Sequence, residues 1–80
     1  MFTVEVKVGL KLGVSDPEGA NTHKSLELLG YDQVRFVKSL KVYRMEIDAP
    51  SKEEAESKVE EMCLRVLTNP VIHTHEIVFL

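Results

Sequence analysis

Residues 2 to 12, FTVEVKVGLKL, alternate without a break: Phe2, Val4, Val6, Val8, Leu10 and Leu12 on one side, Thr3, Glu5, Lys7, Gly9 and Lys11 on the other. A period of two is the mark of a strand with one buried face. Eleven extended residues span roughly 36 Å, against the usual five or six residues, so the surplus is expected to pair with another chain. In GVSDPEG, Asp16 reads as a helix N-cap and Pro17 as the first helical residue, where a missing N–H costs nothing. The helix is expected from Pro17 to Leu29, with Thr22, Ser25, Leu26 and Leu29 on its buried face, His23 in solvent and Gly30 as the left-handed stop.

The stretch VRFVKSLKVYRMEID, residues 34 to 48, reads as two strands around a turn near Ser39 and Leu40, with Tyr43, Met45 and Ile47 alternating against Val42, Arg44 and Glu46. Ser51 and Glu54 form a capping box that opens a helix of about sixteen residues to Leu67. Ala55, Val59, Met62 and Val66 make its apolar stripe, with Cys63 at the edge, Leu64 nearly opposite and glutamates around the rest. Thr68, Asn69 and Pro70 stop it, and Val71 to Leu80 form the last strand. The order β-α-β-β-α-β predicts an α+β fold, a ferredoxin-like sandwich with a four-stranded antiparallel sheet and two helices on one face. Its other face, carrying Thr3, Glu5, Val78 and Leu80, would be open, which invites oligomerisation.

Composition narrows the class. Eighty residues make one domain, expected over residues 1–80, and a chain this short buries only about 60 to 65% of its unfolded surface. The 44% hydrophobic and 29% charged residues fit an ordinary soluble domain. A net charge of −3 and an open face bearing Thr3, Glu5 and Lys7 instead of aromatics argue against nucleic acid. No apolar run is long enough for a membrane span, and no charged-then-apolar leader follows Met1. The single Cys63 cannot form an internal disulfide, as expected for the cytoplasm.

Candidate chemistry is sparse. His73 and His75 lie two apart in a strand, on one face and roughly 7 Å from each other, which could be half of a zinc site. Zinc wants three or four ligands, and neither Cys63 nor His23 is placed by spacing to complete the set, so no metal site is expected. Cys63, between Met62 and Leu64, has no basic neighbour to activate it and reads as a packed thiol. Asp16 and Glu18 would repel a phosphate from the GVSDPEG turn. No catalytic, cofactor-binding or metal-binding residue is expected. Two other classes of function stay open at this point, a small-molecule-sensing regulatory α+β dimer module and the metal binder that His73 and His75 suggest.

Three motifs taken together, LKLGVSDPEG at residues 10–19, SLELLG at 25–30 and EMCLRVLTNPVIHTHEI at 61–77, resemble the PurS subunit family of phosphoribosylformylglycinamidine synthase. That family runs approximately LK-x-GV-x-DP-x-G, AL-x-x-LG, a V-x-x-V-R-x-G-K hairpin and EMC-x-x-LL-x-NPVIE-x-Y-x-I. Leu40 stands where the family usually has glycine, and His73 and His75 where it tends to have Glu and Tyr. The resemblance implies a non-catalytic assembly subunit in purine biosynthesis. It would bridge a glutaminase, which releases ammonia, and a synthetase, which uses ATP and magnesium to turn formylglycinamide ribonucleotide into formylglycinamidine ribonucleotide. The chain itself would bind no cofactor, and would form a homo-oligomer, dimer or tetramer. The residues expected to face partners are Lys11, Asp16, Pro17 and Gly19 at the first strand-to-helix turn, and Asn69 and Pro70 at the exit of the second helix. Each also has a local reading as cap, turn or exposed charge.

Overall fold

The computed structural model describes residues 1–80. Three strands and two helices alternate: β1 (Phe2–Leu10), α1 (Pro17–Leu28), β2 (Lys41–Ile47), α2 (Lys52–Met62), which runs on into a π-helical turn (Cys63–Leu67), and β3 (His73–Phe79). The sheet is antiparallel in the order β2-β1-β3. The expected four-stranded ferredoxin-like sandwich with two helices on one face is therefore replaced by a three-stranded β-α-β-α-β arrangement.

The missing strand is residues 34–38. The α1 region holds the two ends of this stretch instead: the His23 ring donates from Nε2 to the Val34 carbonyl at 2.9 Å, and the N–H of Ser39, just beyond it, donates to Asp16 Oδ2 at 2.8 Å. A backbone group engaged in this way is not free for a sheet ladder. His23, expected in solvent, is thus a half-buried tether.

β1 has no surplus length for another chain. Phe2 to Val8 pair with β2 and Val4 to Leu10 with β3, so the two neighbours are offset along one long central strand. It ends at Leu10, and Leu12 is fully exposed. The apolar face of the alternation does form the core. Val4, Val6 and Val8 pack with Val59 and Cys63 of the second helix, with Phe2, Tyr43, Met45, Ile47, Leu67, Ile77 and Phe79 around them. Each fully buried valine contributes about 1.5 to 3 kcal/mol. On the other face Glu5 pairs with Arg44 across the β1–β2 register, Nη2 to Oε2 at 2.7 Å.

The Ser51 half of the capping box forms, with the Glu54 N–H donating to Ser51 Oγ at 3.2 Å. The buried stripe is Ala55, Val59 and Cys63, whereas Met62 and Val66, expected inside, are exposed. The sheet follows the ridge of residues four apart instead of the alternating three-and-four stripe. The π turn then widens the helix, with the Thr68 N–H reaching back five residues to the Cys63 carbonyl at 3.0 Å.

α1 begins at its Asp16 cap and ends at Gly30, whose φ of 91° is the left-handed stop. It buries only Gly19 and adds no side chain to the core cluster, and Thr22, Ser25 and Leu29 of its expected inner face are exposed. The molecule measures 51 × 26 × 14 Å with a radius of gyration of 16.0 Å. About 12 Å is expected for a compact chain of this length.

Candidate functional site

Antiparallel pairing brings the end of β1 and the starts of β2 and β3 together: Val8 lies opposite Lys41, and Leu10 opposite His73. Of the six residues expected to face partners, Lys11, Asp16, Asn69 and Pro70 lie in the loops leaving this one end of the sheet, and Pro17 and Gly19 in the first turn of α1. The Lys11 N–H donates to the Ile72 carbonyl at 2.9 Å, which ties the first loop to the loop that contains Asn69 and Pro70.

Asp16 organises the first loop. Its Oδ1 accepts from the Gly19 N–H at 3.0 Å, capping α1, and from the Ser39 hydroxyl at 2.6 Å, while Oδ2 accepts from the Ser39 N–H. These hydrogen bonds from Ser39, then Gly19, favour the ionised carboxylate and hold its pKa below the ordinary value. Pro17 supplies the first helical residue. Gly19 is buried because the chain crosses tightly over it: a Cβ there would lie 2.6 Å from Asp16 Oδ2 and 2.7 Å from the Val37 carbonyl oxygen. For Asp16, Pro17 and Gly19 the local reading is therefore a physical fact, and the surface they shape is what remains for a partner.

The second loop is held by Asn69. Its carbonyl accepts from the N–H groups of Ile72 and His73 at 3.0 and 2.8 Å, and its Oδ1 accepts from the Val71 N–H at 3.1 Å. Its own N–H donates to Nδ1 of His73 at 2.8 Å. His73, weighed in the sequence as half of a zinc pair, is half-buried and closes this loop. His75 lies on the same face as Ile77 and Phe79, and its Nε2 meets the Glu60 carboxylate at 2.9 and 3.1 Å. No group of three or more His, Cys, Asp or Glu side chains is placed to hold a metal ion. Burial, and secondarily the negative charge of Glu60, push the Cys63 thiol up from its ordinary pKa.

Between the loops lies an open cleft of about 350 Å³, lined among others by Leu10, Glu18, Ser39, Lys41, Leu67 and His73. Ser39 and Lys41 were not legible as site residues, and His73 was legible only as half of a zinc pair, because the strand register and the Asp16 bonds are what bring the three here. Exposed Leu40 also lines this cleft, exposed Leu12 and Phe36 line a second, smaller pocket with Lys11, Asp16 and Lys38, and Val71 is exposed in the second loop. Of these Leu12 had a signal in the sequence, being the last apolar position of an alternation that the strand does not complete.

Residues 3–80 match the family described as PurS: Phosphoribosylformylglycinamidine (FGAM) synthase. The chain is 49% identical over 75 residues to phosphoribosylformylglycinamidine synthase subunit PurS of Archaeoglobus fulgidus, with 94% of both chains covered. It is similar to the crystal structure of PurS from Methanocaldococcus jannaschii, described as one of the subunits of formylglycinamide ribonucleotide amidotransferase in the purine biosynthetic pathway. The TM-score is 0.89 at 38% identity, covering 100% of this chain and 96% of that one. A chain in the structure of PurLQS from Thermotoga maritima matches with a TM-score of 0.91 at 28% identity, covering 99% and 96%.

Proposed function

This chain belongs to the PurS family, a subunit of phosphoribosylformylglycinamidine synthase in purine biosynthesis, and from that premise we propose that it is the non-catalytic piece joining a glutaminase to a synthetase. The observation that carries the reading is its surface. Thirteen large apolar residues are exposed, against six apolar residues buried. The accessible area of 6045 Å² exceeds the roughly 4,900 Å² of a compact monomer of this mass. A chain that buries so little of itself gains by burying the rest against partners.

Homo-oligomerisation, as dimer or tetramer, would cover part of that surface. The outer edges of β2 and β3 have no partner strand within the chain. The loop end built by Lys11, Asp16, Pro17, Gly19, Asn69 and Pro70 is the face we assign to the larger partners. ATP, magnesium and glutamine are used by those partners, in the cytoplasm, and this chain binds none of them. Ammonia released into bulk water is protonated and diluted, so fixing the releasing and consuming sites in one assembly raises its effective concentration at the second.

The test is reconstitution. Co-elution with a glutaminase and a synthetase is expected, with glutamine-dependent synthesis lost when this chain is left out and restored by added ammonia. Equal glutamine-dependent rates with and without the chain would refute the bridging role.

A further inference from the structure

The two histidines of HTH are bonded in opposite protonation senses. At His73, Nδ1 accepts the Asn69 N–H, which requires a lone pair on that nitrogen and places the ring proton on Nε2. A second proton on the ring removes the acceptor and sets two donors face to face. At His75, Nε2 meets the Glu60 carboxylate, a partner that an imidazolium ion binds at least as well as a neutral ring. Protonation therefore acts against the loop at Asn69 and not against the seat of β3 beneath α2.

We infer that His73 is a proton-operated latch on the 69–72 loop: unprotonated its ring accepts the Asn69 N–H, and protonated it releases that one bond, loosens the loop and weakens partner binding at this end of the sheet. The link to partners rests on the function proposed above; the latch itself does not. The loop's position makes the consequence local and directional. Its Ile72 carbonyl receives the Lys11 N–H, so a change in this loop is passed directly to the first. The titratable groups that share the cleft with His73 are Glu18 from α1 and Lys41 and Tyr43 from β2, of opposite charge types. β1 presents Gly9 and Leu10 and the π turn presents Leu67, none of them charged. On β3 itself the next residue of the same face is His75, held by Glu60 of α2. Lys41 stands over the Tyr43 ring, 5.9 Å from its centroid, and forms no ion pair with Glu18.

Histidine is the side chain suited to such a switch between about pH 8 and pH 5. Hydrogen-exchange protection of the Asn69 amide in the full chain, corrected for the pH dependence of intrinsic exchange, reads the latch directly. Protection is expected to fall between those limits by about five- to tenfold, the effect of losing one ordinary hydrogen bond. His73→Asn, which keeps an acceptor that does not titrate, is expected to hold its protection across the range. His75→Gln is expected to leave the loss at Asn69 unchanged. Constant protection in the parent chain, or an equal loss in His73→Asn, overturns the latch. Partner binding measured over the same range separates the two claims: a loop that loosens without weakening the complex upholds the latch and overturns the assignment of this face to partners.

Discussion

Ser39 gives both of its hydrogen-bond donors to one side chain: its hydroxyl reaches Asp16 Oδ1 at 2.6 Å and its N–H reaches Oδ2 at 2.8 Å. A residue that caps a helix thereby also fixes a segment twenty-three positions away. Asp16→Ala is expected to lower the melting temperature more than Ser39→Ala, because it removes the α1 cap as well as the Ser39 tie. Asp16→Asn should fall between Asp16→Ala and the parent, since it keeps an acceptor but loses the charge. Thermal melts of the three variants decide the order.

Acid should undo the same junction. The Asp16 pKa is depressed in the folded chain, so its contribution is complete above the ordinary carboxylate value of 3.8 and is lost as pH falls through the lower folded value. The difference in melting temperature between the parent and Asp16→Asn is expected to be constant near neutrality and to shrink below about pH 4. A difference that persists at about pH 2 would contradict an ionised Asp16 as the source.

Gly19→Ala reverses the usual preference for alanine over glycine in a helix. The added methyl would sit 2.7 Å from the Val37 carbonyl oxygen, a backbone atom that cannot rotate away. A cost of about 1 to 3 kcal/mol is expected for such overpacking. In a chain of this size that lowers the melting temperature by roughly 5 to 20 °C. A melting temperature equal to or above the parent's would show that the 36–39 segment moves aside freely.

How much of this could be read beforehand depends on the range of the interaction involved. The alternation of β1, the Asp16 cap, the Ser51 cap and the Gly30 stop are encoded within a few residues, and all four form. Residues 34–38 have the composition of a strand, but Asp16 and His23 take their neighbours' backbone groups, and no local pattern announces that competition. The phase of α2 failed for a related reason: Met62 and Cys63 are adjacent on a helix with similar apolar character, and only the sheet's position decides which turns inward. The same limit applies to the site. The six residues proposed to face partners were legible as turns, caps or an exposed charge, whereas the contacts of Asp16 with Ser39 and of Asn69 with His73 depend on how the chain folds back.

Cys63 should behave as packing. Burial raises its pKa, with Glu60 adding to the effect, so little thiolate exists at neutral pH. A disulfide reagent is expected to label the native chain at least about tenfold more slowly than the chain in denaturant. Equal rates would mean that the helix opens often enough to expose it.

Leu12 is expected to separate stability from assembly. Its side chain is fully exposed beside the loop end, so Leu12→Ser should change stability by no more than about 0.5 kcal/mol. Binding to the synthetase or glutaminase should nevertheless weaken by more than about fivefold, the loss of an interface residue contributing about 1 kcal/mol. Unchanged affinity for both would remove Leu12 from the interface.

The central place of β1 also governs when the chain can fold. The strand nearest the start of these eighty residues is flanked on one side by the strand nearest their end, with Val4 opposite Phe79. During synthesis β1 leaves the ribosome long before that neighbour exists, with its valines uncovered and one ladder of amides open. Such distant pairing slows folding, because a large loop must close before any contact rewards it. Loss of a few residues from β3 would therefore strip one flank from the middle strand, which stays uncovered there until β3 has been made.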